Sequence, residues 1–226
     1  METREARFAG VAGLILAALY VAAAVIYILL PEAQRLGVRA PTLLPSFAED
    51  PMLLQAETLV LAAMGVVGLA VVGPIRTMVG PDAPWVRWSS YLALVGFAVG
   101  AVGNTLVLAK LPGIASAYVA ADASAQQAIA AFWRTTLDPW GLWQLGAVGL
   151  WTLVLGLVAL RRGNLPRTGV ALALAAGIAQ LVTPLALFLS ATAPFAIIAI
   201  VAGIVAASWF AWVGLHLRDR AGSAPG

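Results

Sequence analysis

Apolar residues fall in long unbroken runs rather than in alternation with polar ones, and six runs reach the length that a membrane crossing requires. A helix rises 1.5 Å per residue and the hydrocarbon core is about 30 Å thick, so about 20 largely apolar residues are needed. The qualifying stretches are roughly 8–30, 55–72, 88–111, 140–160, 169–189 and 195–217. Between Arg167 and Arg218 there is no formal charge, an interval too long for one helix. Pro194, in Ser190-Ala191-Thr192-Ala193-Pro194, supplies the breaker for a tight hairpin there. The pattern predicts an all-α, polytopic transmembrane helical bundle of six spans, one domain over residues 1–226.

Two longer loops, roughly 31–54 and 112–139, interrupt the runs and are expected on the external side. The first holds Pro31, Pro41, Pro45 and Pro51, which oppose regular helix or strand. The second predicts one short external amphipathic helix. Ser124 with Gln127 fits a capping box, and Ile129, Phe132 and Trp133 fall on one face. That face either lies on the outer leaflet or closes over the bundle.

Composition strengthens the membrane reading. Apolar residues make up 62% and charged residues 10%, against about 45–50% and about 25% in ordinary globular proteins. The isoelectric point of about 9.8 does not signal nucleic acid, because the basic residues recur between the apolar runs instead of forming a patch. With no cysteine, disulfides, thiolate zinc sites and iron–sulfur clusters are excluded. The charged start, Met1 to Arg7, leads into an apolar run longer than the roughly 7–15 residues of a signal-peptide core, so a retained first helix is expected.

Basic residues also set an orientation. With the N-terminus in the cytoplasm, Arg4, Arg7, Arg76, Arg87, Arg161, Arg162, Arg167, Arg218 and Arg220 lie inside, and Arg35, Arg39, Lys110 and Arg134 outside. Nine against four predicts both ends inside. The inside-to-outside spans begin alike, with Arg7-Phe8-Ala9-Gly10, Arg87-Trp88-Ser89-Ser90 and Arg167-Thr168-Gly169. Tandem hairpins would give this pattern, and so would the shared demands of membrane insertion. Gly96-Phe97-Ala98-Val99-Gly100 is a close-packing GxxxG, which in so glycine-rich a chain does not establish dimerisation.

Polar residues inside spans are costly and are the first functional candidates. Here they gather toward the outer half: Glu57, Asn104, Gln144, Gln180 and Thr183, with Asp138, Trp140 and Trp143 at the outer start of the fourth span. Pro184 follows Thr183 and frees a backbone carbonyl. One reading is an outward-open polar cavity that binds a ligand. The other has Glu57 and Lys110 snorkelling, Trp140 and Trp143 in the aromatic belt, and Asn104 and Gln180 linking helices.

Cofactor chemistry finds no foothold. Haem needs axial ligands, and the sole histidine, His216, sits at the inner end of the last span. The sole lysine, Lys110, is near an external helix end, which does not suit a retinal Schiff base. No metalloprotease motif, Ser–His pair or two-carboxylate arrangement is visible in the spans. No cofactor or metal is expected.

Two stretches carry a family resemblance. The opening Ala6-Arg7-Phe8-Ala9-Gly10-Val11-Ala12-Gly13-Leu14 and the region 151–177, with Arg161-Arg162-Gly163-Asn164-Leu165-Pro166-Arg167 between two spans, resemble the bacterial DUF4386 domain family. A second tryptophan often found after the Pro-Arg pair is replaced by Thr168-Gly169. The resemblance implies six helices and a bacterial inner membrane, and it carries over no activity and no functional residue. Three functions stay open. The first is a non-enzymatic protein, either an accessory subunit of a larger membrane complex or a binder of a lipid-like ligand. The second is a small transporter using the outer polar cluster. The third is an intramembrane enzyme with Glu57 or Asp138 as base.

Overall fold

The computed structural model describes residues 3–35, 37–133, 138, 141–189 and 192–222. Among these the chain is helical, with no strand. In order come α1 (Thr3–Leu29), a 3-10 turn (Glu32–Gln34), α2 (Ala40–Glu49), α3 (Met52–Val79), α4 (Pro84–Ala120) and α5 (Ala123–Trp133). A π-helical segment (Leu142–Ala147) then leads into α6 (Val148–Arg162), followed by α7 (Arg167–Phe188) and α8 (Thr192–Gly222). Six of these helices are long and apolar enough to cross a membrane: α1, α3, α4, the π segment with α6, α7 and α8.

The six run antiparallel in chain order around a closed ring. α1 packs on α3, α3 on α4, α4 on the π segment and α6, α6 on α7, α7 on α8, and α8 back on α1, with α3 and α6 also touching. Glycine sets the spacing of these contacts, because a missing Cβ lets two backbones approach. At Gly65 a side chain would collide with the backbone of Phe97 and Ala101, and at Gly177 with Leu153. Gly13 and Gly214 play the same part between α1 and α8. The core inside the ring holds Leu16, Tyr20, Val71, Ile75, Phe97, Trp151, Leu155, Trp209 and Phe210. Tyr20 stacks on Phe210 with ring centroids 5.5 Å apart.

All nine arginines assigned above to the inner side (Arg4, Arg7, Arg76, Arg87, Arg161, Arg162, Arg167, Arg218 and Arg220) sit within a few turns of the helix ends at one end of the bundle, here the arginine-rich end. The loop end, opposite, departs from the sequence expectation in two ways. The proline-rich stretch is not irregular, since it contains the ten-residue helix α2. Pro41 occupies the first turn, where no intrahelical N–H is required. Pro45 is tolerated because Leu43, Leu44 and Phe47 bury the helix face beside it. The third span does not stop before Pro112 either: α4 is 37 residues long, about 55 Å at the helical rise, far more than the bilayer core. Leu111, Ala115 and Tyr118 of its extension form a separate apolar cluster with α2, which offsets the hydrogen bond that Pro112 lacks.

The second span likewise runs further than its most apolar stretch, and Pro74 sits inside it without ending it. At the last hairpin, Ser190 and Ala191 lie outside the described residues, and α8 begins at Thr192, ahead of Pro194.

Candidate functional site

The polar residues of the spans fall into separate places rather than one. Asn104 on α4 and Gln144 in the π segment meet: the Asn104 Nδ2 donates to Gln144 Oε1 at 3.0 Å and to Gly100 O at 2.7 Å. The contact exists because Gly96 and Gly100 present a flat face to the π segment. A Cβ at Gly96 would strike the Trp143 carbonyl and one at Gly100 the Gln144 side chain. The GxxxG is thus consumed within the chain. The π segment itself is capped by Asp138, whose Oδ2 accepts from the backbone N–H of Trp143 at 3.0 Å and of Gln144 at 2.9 Å. A carboxylate holding two orphan helix donors is a cap, not a free base.

Gln180 belongs to a second place, deep in the ring. It is 1% exposed, and its Nε2 donates to the Tyr20 hydroxyl at 3.0 Å. Its Oε1 is buried without a partner. Thr183 donates to the Ala179 carbonyl one turn back, at 2.9 Å. Pro184 follows inside the same helix and cannot donate to the Gln180 carbonyl.

Glu57 occupies a third place. It is half-buried on α3, within electrostatic range of Tyr27 on α1, which Arg35 also approaches. Trp143 is exposed on the bundle flank. Trp140 lies outside the described residues.

Several groups escaped the sequence reading. Tyr20 is the partner that Gln180 requires, and its signal was a phenol placed mid-span in the first helix. Gln34, 2% exposed, donates through Nε2 to the Ser46 carbonyl at 3.0 Å and the Asp50 carbonyl at 2.8 Å, fastening the 3-10 turn to the end of α2. Arg35 closes α1 by donating to the Leu30 and Ile28 carbonyls, as a cation at a helix C-terminus should. In the arginine-rich half, Trp151 Nε1 donates to Ser90 Oγ at 3.2 Å, and the fully buried Trp209 has an indole N–H without a partner. Trp209, Trp212 and His216 stack successively along α8.

The amphipathic helix forms, with a different cap. Asp122, not Ser124, precedes its first turn and accepts from the Ala125 N–H and the Ser124 hydroxyl, both at 2.9 Å. These bonds hold the Asp122 carboxyl below the usual carboxylate range, the backbone N–H of Ala125 contributing most. Gln126, not Gln127, reaches back to the Tyr118 and Ala121 carbonyls. Ile129, Ala130 and Trp133 pack toward α2 and α4, whereas Phe132 is 62% exposed.

Two grooves flank the α4 extension. One, of about 450 Å³, runs between α2, the start of α3 and α4; Phe47, Pro51, Pro112, Ala115 and Val119 give it apolar walls, with Gln55 and Ser116 as its polar groups. The other, of about 300 Å³, lies between α4 and α5 and is lined by Ile114, Ile129 and Phe132 among others.

The family model described as a domain of unknown function, DUF4386, matches residues 8–215, nearly the whole chain. The chain belongs to the DUF4386 family. No curated protein and no solved structure matches it. With its six apolar helices, this DUF4386 protein is an integral membrane protein whose surroundings are a lipid bilayer. Among its described residues no three His, Asp or Glu side chains gather where they could hold a metal ion.

Proposed function

We propose that this DUF4386 protein is a non-enzymatic membrane protein that binds a lipid-like ligand at its loop end, in the groove between α2 and the α4 extension. The observation that carries this reading is the groove itself, about 450 Å³ of largely apolar concavity with Gln55 and Ser116 beside it. A single acyl chain suits that mixture, since apolar walls take the hydrocarbon and a few convergent polar groups take the head. Its source is the bilayer around the protein. The groove begins where α3 and α4 leave their apolar spans, and exposed Lys110 lies on α4 at that level.

The transporter reading draws less support. A polar path needs its groups to face a common space, whereas Asn104 is bonded to Gln144 and Gln180, in a separate place, to Tyr20. The enzyme reading draws least, with Asp138 engaged as a helix cap. The orientation that accompanies the proposal is both termini inside, in a bacterial cytoplasmic membrane, with the groove outward. An accessory role in a larger membrane complex is compatible with the same groove.

A photoactivatable palmitate analogue in nanodiscs of defined phospholipid tests the proposal. Crosslinks should concentrate in residues 47–55 and 112–120, and Ser116→Trp, which fills the exposed groove wall, should remove them. Crosslinks spread evenly around the bundle, or unaffected by Ser116→Trp, would overturn it.

A further inference from the structure

At the arginine-rich end the loops after α3 and α6 are tied together. Asn164 Nδ2 donates to the Val79 carbonyl at 2.7 Å. The tie brings two guanidinium groups to one turn, Gly80-Pro81. Arg76 arrives from α3 and reaches the Pro81 carbonyl through Nη2 with a long contact of 3.4 Å. Arg162 arrives from α6 and lies directly against Gly80, where any side chain would collide with its Nη1. Gly80 has φ of 156°, so the position favours glycine twice over, for its backbone and for the arginine it admits.

Helix dipoles account for a cation at the C-terminus of each helix. They do not account for two cations converging on the same turn, where they repel each other. Nor do they explain the Arg76 Nε, buried and without an acceptor. Among the described residues neither arginine has a carboxylate at ion-pair distance, although Asp82 is in the same turn. The turn thus gathers donors and positive charge with no carboxylate paired to them among the described residues. Guanidinium forks match a tetrahedral oxyanion in geometry as well as charge.

We propose that Arg76 and Arg162 form a binding site for one phosphate group, carried by a membrane phospholipid or free in solution. Arg162 offers its fork from the exposed side, and Arg76 presents its Nη edge beside the Pro81 carbonyl. Arg161, beside Arg162 in sequence, and Arg220, at the same end of the bundle, are outside the site. They contribute only to the general positive potential. The site lies at the opposite end from the acyl groove and does not depend on it.

Native mass spectrometry of the intact protein, released from nanodiscs containing phosphatidylglycerol and phosphate-free diacylglycerol, reads the site. The wild type should retain phosphatidylglycerol over diacylglycerol. Arg76→Gln and Arg162→Gln should each lower that retention about tenfold, the equivalent of 1.4 kcal/mol. Arg161→Gln and Arg220→Gln should leave it nearly unchanged. Arg162→Lys keeps the charge without the fork and should fall between, which guards against a glutamine variant that does not fold. Competition by millimolar inorganic phosphate separates the sources. Displacement assigns the site to phosphate alone, and persistence assigns it to the lipid. Equal loss in all four glutamine variants, or no preference for phosphatidylglycerol, would overturn the proposal.

Discussion

Gln180 illustrates what one polar side chain does in a membrane core. Its amide has one partner, the Tyr20 hydroxyl, and one buried oxygen with none. Hydrogen bonds between transmembrane helices average about 0.6 kcal/mol and reach about 1.7. Tyr20→Phe should therefore destabilise the protein by about 1 kcal/mol, with a double-mutant cycle against Gln180→Leu recovering a coupling in that range. Reversible unfolding in mixed micelles measures it, and additive single effects would show that the pair is incidental. At the surface, Asp122 gives a pH dependence with a definite sign. Its carboxyl is held low in the folded protein, so its contribution is complete above the unfolded value of about 3.9 and is lost as pH falls through the lower folded value. Hydrogen exchange at the Ala125 amide should accelerate, relative to its intrinsic rate, only in that acid range, and Asp122→Asn should flatten the dependence. Gln180 stood out in the sequence because a polar residue in a span always does. Its partner did not, because a tyrosine in an apolar run is equally at home as plain hydrophobic surface.

Among the elements, small residues at the start of three helices acquire a packing explanation. Gly10 receives α8, Ser90 receives the Trp151 indole and Gly169 receives the Trp212 ring. The GxxxG of α4 is occupied in the same way by the π segment. Gly96→Leu should separate α4 from the π segment at about 1–3 kcal/mol, the usual range for overpacking, and break the Asn104–Gln144 bond. Retained thermal stability would contradict the interface. Span number and type were legible because a run of twenty apolar residues has few other uses. The ends were not: α2 and the α4 extension are stabilised by contacts between segments 60 to 80 residues apart, which local prolines do not report. For the same reason the capping box expected at Ser124 resolved to Asp122. Both residues are good N-caps, and only the backbone path decides which one precedes the first turn.

For the whole molecule, six spans in a closed ring enclose an apolar core, and the two grooves beside α4 fall at the loop end. The expected polar cluster separates into an Asn104–Gln144 contact, a Gln180–Tyr20 contact and Glu57 near Tyr27. The position of each residue along its span is legible in the run of apolar residues, but the rotation of its helix about the ring is not, and rotation decides which side chains meet. The chain has no cysteine, so Ser116→Cys and Asn164→Cys can each be labelled alone. An impermeant maleimide should reach Ser116→Cys from outside the cell and Asn164→Cys only after permeabilisation; the reverse would invert the orientation. What this protein does depends on where a ligand sits. A cryo-electron microscopy structure in lipid nanodiscs measures this most directly. It should show elongated density between Phe47 and Val119, with side-chain packing alone around Gln144 and Gln180. Density among the helices at Gln180, above an empty groove, would contradict it.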